Sequence, residues 1–409
     1  MREIGDLGFD RLRRFSWRPS GRRVADVAQG TRGAKRRRVS ALLALMACLV
    51  LTSSQSISSA APAIQQSRDL TVLVGAGRDT DDIFAYFPQT IRIRAGESVT
   101  WKQNSDSTHT ISFGTDGFSG PAIGSTSLAP GQTIPSPTLP IAGRPGITQT
   151  NPLQYYPFMS PEIVDNTYNG VGFASSGRLL GVPPGPNLAP IETFSLTFDT
   201  PGVYTYRCLL HRDRMYGSVE VVDPSTADVP SQADVDARAQ AEMNVLTALL
   251  PAAHAQNAQA RKDAGPSGTT MWTVQAGNNL TGGDLRVAVV DFMPKNVTIA
   301  AGDTVLWTSP FDFHTVSFFP APPVPANNVA ETAPDGTIMI VTNPAANDPF
   351  KPAAVFDPRQ VFSSGRIGYD RPAGNTWSLI FDTPGVYDYV CAIHVERGMK
   401  GTITVLPRA

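Results

Sequence analysis

Two sets of four residues recur in the same order: His109, Cys208, His211 and Met215, then His314, Cys391, His394 and Met399. A thiolate, two imidazoles and a weak thioether form a soft donor set that selects copper able to cycle between Cu(I) and Cu(II). In each set three donors come from one short segment, Cys-x2-His-x3-Met or Cys-x2-His-x4-Met, and one His lies far upstream. Such a segment encloses a single ion when it forms a strand-to-strand loop and the distant His arrives on a neighbouring strand. A site held between the geometries that two oxidation states prefer then needs little rearrangement when an electron moves.

Plainer roles compete for these residues. Four of the five histidines occupy equivalent places in the two sets, which separates them from isolated packing or surface histidines. Met215 and Met399 have the alternative of filling core gaps. Met215 is the weaker assignment, because one residue fewer separates it from its His. The fifth histidine, His254, has no partner in the sequence and is expected in solvent. A disulfide between Cys208 and Cys391 needs Cα atoms within about 7 Å, across two separate halves of the chain, and is disfavoured. Thr110 and Thr315 directly follow the upstream histidines. They read equally as braces toward the cysteine loop or as ordinary strand residues.

The elements that must position these groups follow from an internal repeat. IRIRAGESVTWKQNSDSTHTISF (91–113) matches VTIAAGDTVLWTSPFDFHTVSFF (297–319), and FSLTFDTPGVYTYRC (194–208) matches WSLIFDTPGVYDYVC (377–391). The tetrapeptide SSGR recurs at Ser175–Arg178 and Ser363–Arg366. Apolar and polar residues take turns within these blocks, as in half-buried strands, and Pro201-Gly202 and Pro384-Gly385 mark turns. Trp101, Trp307 and Trp377 read as core anchors. The organisation expected is all-β: a domain at 69–222, a linker at 223–268 and a second domain at 269–407. The linker carries helix-favouring composition over Val235–Leu250 and is expected to be mobile near Ala264-Gly265-Pro266. Inserts at about 114–190 and 320–360 are expected as long surface loops.

With these motifs in view, the chain resembles the cupredoxins, the plastocyanin, pseudoazurin, amicyanin and azurin group. The pattern Gly-x-x-Val-x-Trp, then His, then Gly-Val-Tyr-x-Tyr-x-Cys-x2-His and Met-x-Gly, occurs twice. The resemblance implies two Greek-key β-sandwich domains, each with one type 1 copper near one end. By position it makes His109 and His314 the upstream imidazole ligands and Cys208 and Cys391 the thiolates. His211 and His394 become the second imidazoles, and Met215 and Met399 the axial ligands.

Charge and composition narrow the function classes. Residues 1–60 hold twelve Lys/Arg against four Asp/Glu, so the remainder of a chain of net charge −1 carries −9. The basic excess precedes and includes Lys35-Arg36-Arg37-Arg38, followed by an apolar run from Ala41 to Leu51 and small residues near Ser58-Ser59-Ala60. This reads as an export signal, and nucleic acid is excluded as a partner. Membrane attachment is expected only through an uncleaved signal or a lipid on Cys48. The expected role is a periplasmic or extracellular one-electron carrier that meets a redox partner protein and turns over no substrate. The alternative is a copper carrier, sensor or storage protein without electron traffic, with one domain degenerate in a further variant.

Overall fold

The computed structural model describes residues 68–408 except 115–126, 129–131, 134–137, 142–143, 151–156, 180–189, 212–213, 280–282, 311–312, 327, 333–337, 345–353 and 369–373. The segment at 1–60 read as an export signal, Cys48 and parts of both inserts lie outside the described residues. Among the described residues, no helix is long and apolar enough to cross a membrane.

The first half contributes β1 (Asp69–Ala76), β2 (Asp81–Phe87), β3 (Thr90–Arg94), β4 (Glu97–Gln103) and β5 (Ser112–Phe113). Its insert supplies β6 (Thr138–Ile141), β7 (Arg144–Thr150) and β8 (Ala174–Ser175). Then follow β9 (Thr193–Phe198), β10 (Gly202–Arg207) and β11 (Tyr216–Val222). Two helices come next, α1 (Gln232–Thr247) and α2 (Leu250–Ala255). The second half repeats the plan with β12 (Thr270–Asn279), β13 (Val287–Met293), β14 (Asn296–Ala300), β15 (Asp303–Thr308) and β16 (Ser317–Phe318). Its insert gives β17 (Asn328–Thr332), β18 (Ile338–Thr342) and β19 (Phe362–Ser363), and it closes with β20 (Thr376–Phe381), β21 (Gly385–Val390) and β22 (Lys400–Leu406).

Each half is a sandwich of two sheets. In the first, the order β9-β4-β1-β2 faces β8-β5-β10-β11-β3; in the second, β20-β15-β12-β13 faces β14-β22-β21-β16-β19. Alternation does the placing. Strands β4 and β15 bury every second residue, and the buried set includes Val99 and Trp101 in one half and Val305 and Trp307 in the other. Trp101 packs edge-on against Tyr206 at 5.1 Å and Phe113 at 5.4 Å. Trp307 lies 5.4 Å from Tyr389 and 5.6 Å from Trp377. The tryptophans are core anchors, as their sequence context implies.

The halves do not stand apart. Strands β2 and β13 pair antiparallel, Ile83 with Val287 and Asp82 with Ala288, which fuses the two β1-type sheets into one of ten strands among the described residues. Both strands are buried along nearly their whole length, so both faces are covered. That is why IFAYF and VAVV run apolar without alternating. Helices supply the cover: Ala239 and Leu246 of α1, and Leu250 and Ala253 of α2, close a third core over Ile83, Phe87, Val287 and Met293. Ser231 caps α1, forming a reciprocal capping box with Asp234. The segment read as a linker is thus a packed lid. Its distal part is also tied down, since 261–264 pairs with β12 and the Gly265 N–H donates to Thr269 O. His254 is likewise not simply solvated: its Nε2 lies 2.6 Å from Asp81 Oδ1.

The inserts depart from the expected loops too. Strands β6 and β7 join β17 and β18 in a four-stranded sheet, through the pairing of Gln149 with Val341. A strand pair marginal by itself gains stability by adding strands, and here each half supplies two.

Both buried strand starts carry a carboxylate, Glu97 and Asp303. Burial would raise the Asp303 carboxyl, but N–H donation from Thr270 and Ala300, the Trp272 indole and the Arg408 guanidinium together hold it below the usual range. A depressed folded-state pKa contributes stability above the unfolded value, near 3.9, that is lost as pH falls through the folded value. Asp303→Asn is expected to cost about 1–3 kcal/mol at pH 7. The gap from wild type should shrink when thermal unfolding is followed down to pH 3.

Candidate metal centres

The upstream histidines are set by three backbone devices. His109 exchanges backbone hydrogen bonds with Leu179, and His314 does so with Ile367. The SSGR repeats sit just before these partners: Ser176 Oγ accepts the Ile111 N–H, and Ser364 Oγ accepts the Val316 N–H, both at 2.9 Å. Finally, Gly75 and Gly277 lie under the His109 and His314 rings at a φ of +70° each, next to a bulge in β1 and β12. A Cβ at either position would collide with the ring Nε2. Neither the glycines nor a role for SSGR emerged from reasoning about chemistry, yet both recur in the two halves. The repeat was the signal that could have found them.

The cysteine loops begin where β10 and β21 end. The Cys208 N–H donates to Met215 O at 3.0 Å and the Cys391 N–H to Met399 O at 3.1 Å. The shorter first loop therefore closes on its cysteine with the same backbone bond as the longer one. Both methionines are fully buried in the core cluster of their cysteine.

These elements bring three ligand-type atoms together in each half. His109, Cys208 and His211 converge, as do His314, Cys391 and His394, with the ligand atoms of each group within 4.8 Å of one another. His109 Nδ1 stands 3.2 Å from His211 Nδ1, which is 3.5 Å from Cys208 Sγ. In the second half Cys391 Sγ lies 3.5 Å from His394 Nδ1 and 3.9 Å from His314 Nδ1. Nitrogen and sulfur donors on one tetrahedral metal stand about 3.3–3.6 Å apart. The donor sets therefore fit a single ion in each half. Both cysteines are free and buried, which removes the disulfide alternative.

The surroundings keep these donors uncharged in the absence of a cation. Burial pushes both thiols up, and N–H donation from Thr110 and Thr315 to the sulfurs, at 3.4 Å, opposes it. Thr110 Oγ1 also accepts the Leu209 N–H and Thr315 Oγ1 the Ala392 N–H, so each threonine braces the cysteine loop. Burial holds the His109 imidazole well below its usual pKa, with His211 and Arg397 adding to the effect. Neutral imidazoles and a thiol that sheds its proton to a cation are what a metal site requires. His109 Nε2 lies 2.9 Å from Ser105 Oγ, a partner that would take the ring proton once Nδ1 binds a metal.

The halves differ around the second histidine. Phe84 stacks on His211, with centroids 4.0 Å apart and planes 18° apart, and the Arg214 guanidinium lies 4.7 Å from the Phe84 ring centre. Aligning Phe87-Pro88 with Met293-Pro294 puts Val290 at the corresponding place.

Comparison with known proteins points the same way. Residues 280–406 match the family model of copper binding proteins of the plastocyanin/azurin family. A plastocyanin from Scenedesmus fuscus is 31% identical over 114 residues, which is 28% of this chain and 85% of that protein. The chain belongs to the plastocyanin/azurin family. Solved structures similar to this cupredoxin include oxidised plastocyanin from the fern Dryopteris crassirhizoma, at 19% identity and a TM-score of 0.18, covering 37% of this chain and 99% of that one. A copper-containing nitrite reductase from Thermus scotoductus SA-01 is 13% identical with a TM-score of 0.20, covering 83% of this cupredoxin and 68% of that chain.

Proposed function

We propose that this copper-binding protein is an exported one-electron carrier with two cupredoxin domains, 69–222 and 269–407, each holding one type 1 copper, and that it turns over no substrate. The observation that carries the reading is the convergence, twice, of one Sγ and two Nδ1 atoms in a buried setting. His109, Cys208, His211 and Met215 would hold the first ion, and His314, Cys391, His394 and Met399 the second. Copper bound there supplies reversible Cu(I)/Cu(II) cycling. The protein supplies rigidity and dryness. Cys208, Cys391, His109 and His314 are buried and each is held by a backbone hydrogen bond, so water stays out and the donors keep their places in both oxidation states.

His211 and His394 are half-buried, which suits their outer edges as the points where a redox partner takes or gives an electron. The −9 charge of residues 61–409 would steer a basic partner. Centres of type 2 or type 3 need further histidines, and only His254 remains beyond the eight ligands. It is engaged with Asp81, which supports a carrier over an enzyme. Metal analysis with a visible spectrum tests the reading: two coppers per chain and an intense blue band are expected. A colourless Cu(II) protein would end it.

The stack on His211 yields a further expectation. An apolar ring over the imidazole keeps water from the site and so disfavours its more highly charged state. Phe84→Val should lower the reduction potential of the first site toward that of the second, as followed by potentiometric titration of the visible band. An unchanged potential would show that Phe84 only packs.

A further inference from the structure

We infer that Arg397, in the ligand loop of the second site, is a positioning residue for His109 in the first, so that the two metal sites are coupled. The inference rests on reading the eight residues above as ligands. Arg397 lies between His394 and Met399, yet its guanidinium leaves its own half. Nη1 donates to Asp82 Oδ2 at 2.8 Å and to Ser107 Oγ, and Nη2 donates to the Asp81 carbonyl at 2.8 Å. The contact is dry: the Arg397 side chain is 12% exposed and that of Asp82 5%.

From there the bonds run to the first site. Ser107 Oγ donates to Asp82, and the Ser107 carbonyl accepts from Gln103 Nε2 and, at 3.4 Å, from Ser105 Oγ. Ser105 Oγ is the group against His109 Nε2. One guanidinium therefore grips the turn whose serine orients the ligand ring. A buried ion pair resists separation, because either partner left alone is an uncompensated buried charge. A shift of the second loop when its site fills is then passed to residues 105–109 rather than absorbed. Arg214, at the equivalent place in the first loop, lies over Phe84 of its own half.

The test uses the full mature chain with Cys208→Ser, which keeps the metal out of the first site, and zinc(II) as a redox-inert probe. Filling the second site is expected to shift the His109 ring ¹⁵N signals and the 105–109 amides in NMR spectra. Arg397→Met should abolish the shift, and Arg397→Lys, which keeps the charge without the fork, should restore part of it. Ser107→Ala breaks the relay while retaining the ion pair, so it decides the matter should Arg397→Met not fold. With Cys208 restored, occupancy of the second site should change zinc affinity at the first by about 5–150-fold, the usual range for coupled sites. Zinc binding at the second site with silent His109 signals, or equal shifts with and without the relay, would overturn the inference. Failure of zinc to bind at all would instead remove the ligand assignment beneath it.

Discussion

Cys391→Ser is expected to lower the copper content from two ions per chain to one and to remove the second half's share of the blue absorption. Serine fits the space but cannot do the chemistry. Its hydroxyl is a hard donor that keeps its proton at neutral pH, whereas a thiolate is the soft donor that copper takes. Nor can the neighbours compensate, since Cys391 Sγ is the atom against both His314 Nδ1 and His394 Nδ1. The fold should survive, because a buried hydroxyl that still accepts the Thr315 N–H costs about 1–3 kcal/mol at most. Cys208→Ser should do the same to the first half, and the double variant should be colourless and still folded by circular dichroism. A blue band persisting in the double variant would mean that the thiolates are not the source of the colour.

Gly277→Ala, a change of one methyl group, should cost nearly as much function. Gly277 has a φ of +70°, where a side chain costs about 1–2 kcal/mol. The new methyl would also run into the imidazole of His314, and overpacking of this kind costs about 1–3 kcal/mol. Relief comes only by moving the ring, so copper affinity at the second site is expected to fall by about 10–100-fold, as for lost support of a metal ligand. Gly75→Ala should act in the same way on His109. Gly96→Ala separates the two causes: its φ is +89° but nothing lies within 4 Å of the added methyl. It should lose stability in denaturant titrations while keeping both coppers in a chelator competition. Equal copper loss in all three variants would show that strain, not the collision, disturbs the ring.

Much of this was legible because duplication doubles every signal. The pairing of His109 with His314, of Cys208 with Cys391 and of Thr110 with Thr315 follows from aligning the halves. Alternation over Glu97–Gln103 and Asp303–Thr308 likewise declared which side chains face inward. The supports under the ligands were harder to see. A glycine that accepts a ring, or a serine that catches a backbone N–H, carries no chemical mark of its own, and Ser105 has no counterpart that alignment could supply.

The sequence by itself determined the all-β class, the two donor sets and the strands that deliver them, since each depends on local period or on residue type. How the halves meet was decided only in three dimensions. The runs IFAYF and VAVV announce strands covered on both faces, but they do not name the cover. That choice belongs to the β2–β13 pairing, to the lid of α1 and α2, and to Arg397 reaching Asp82 across 315 positions of chain. Contacts between distant residues depend on which surfaces fit, and no window along a single strand contains that information.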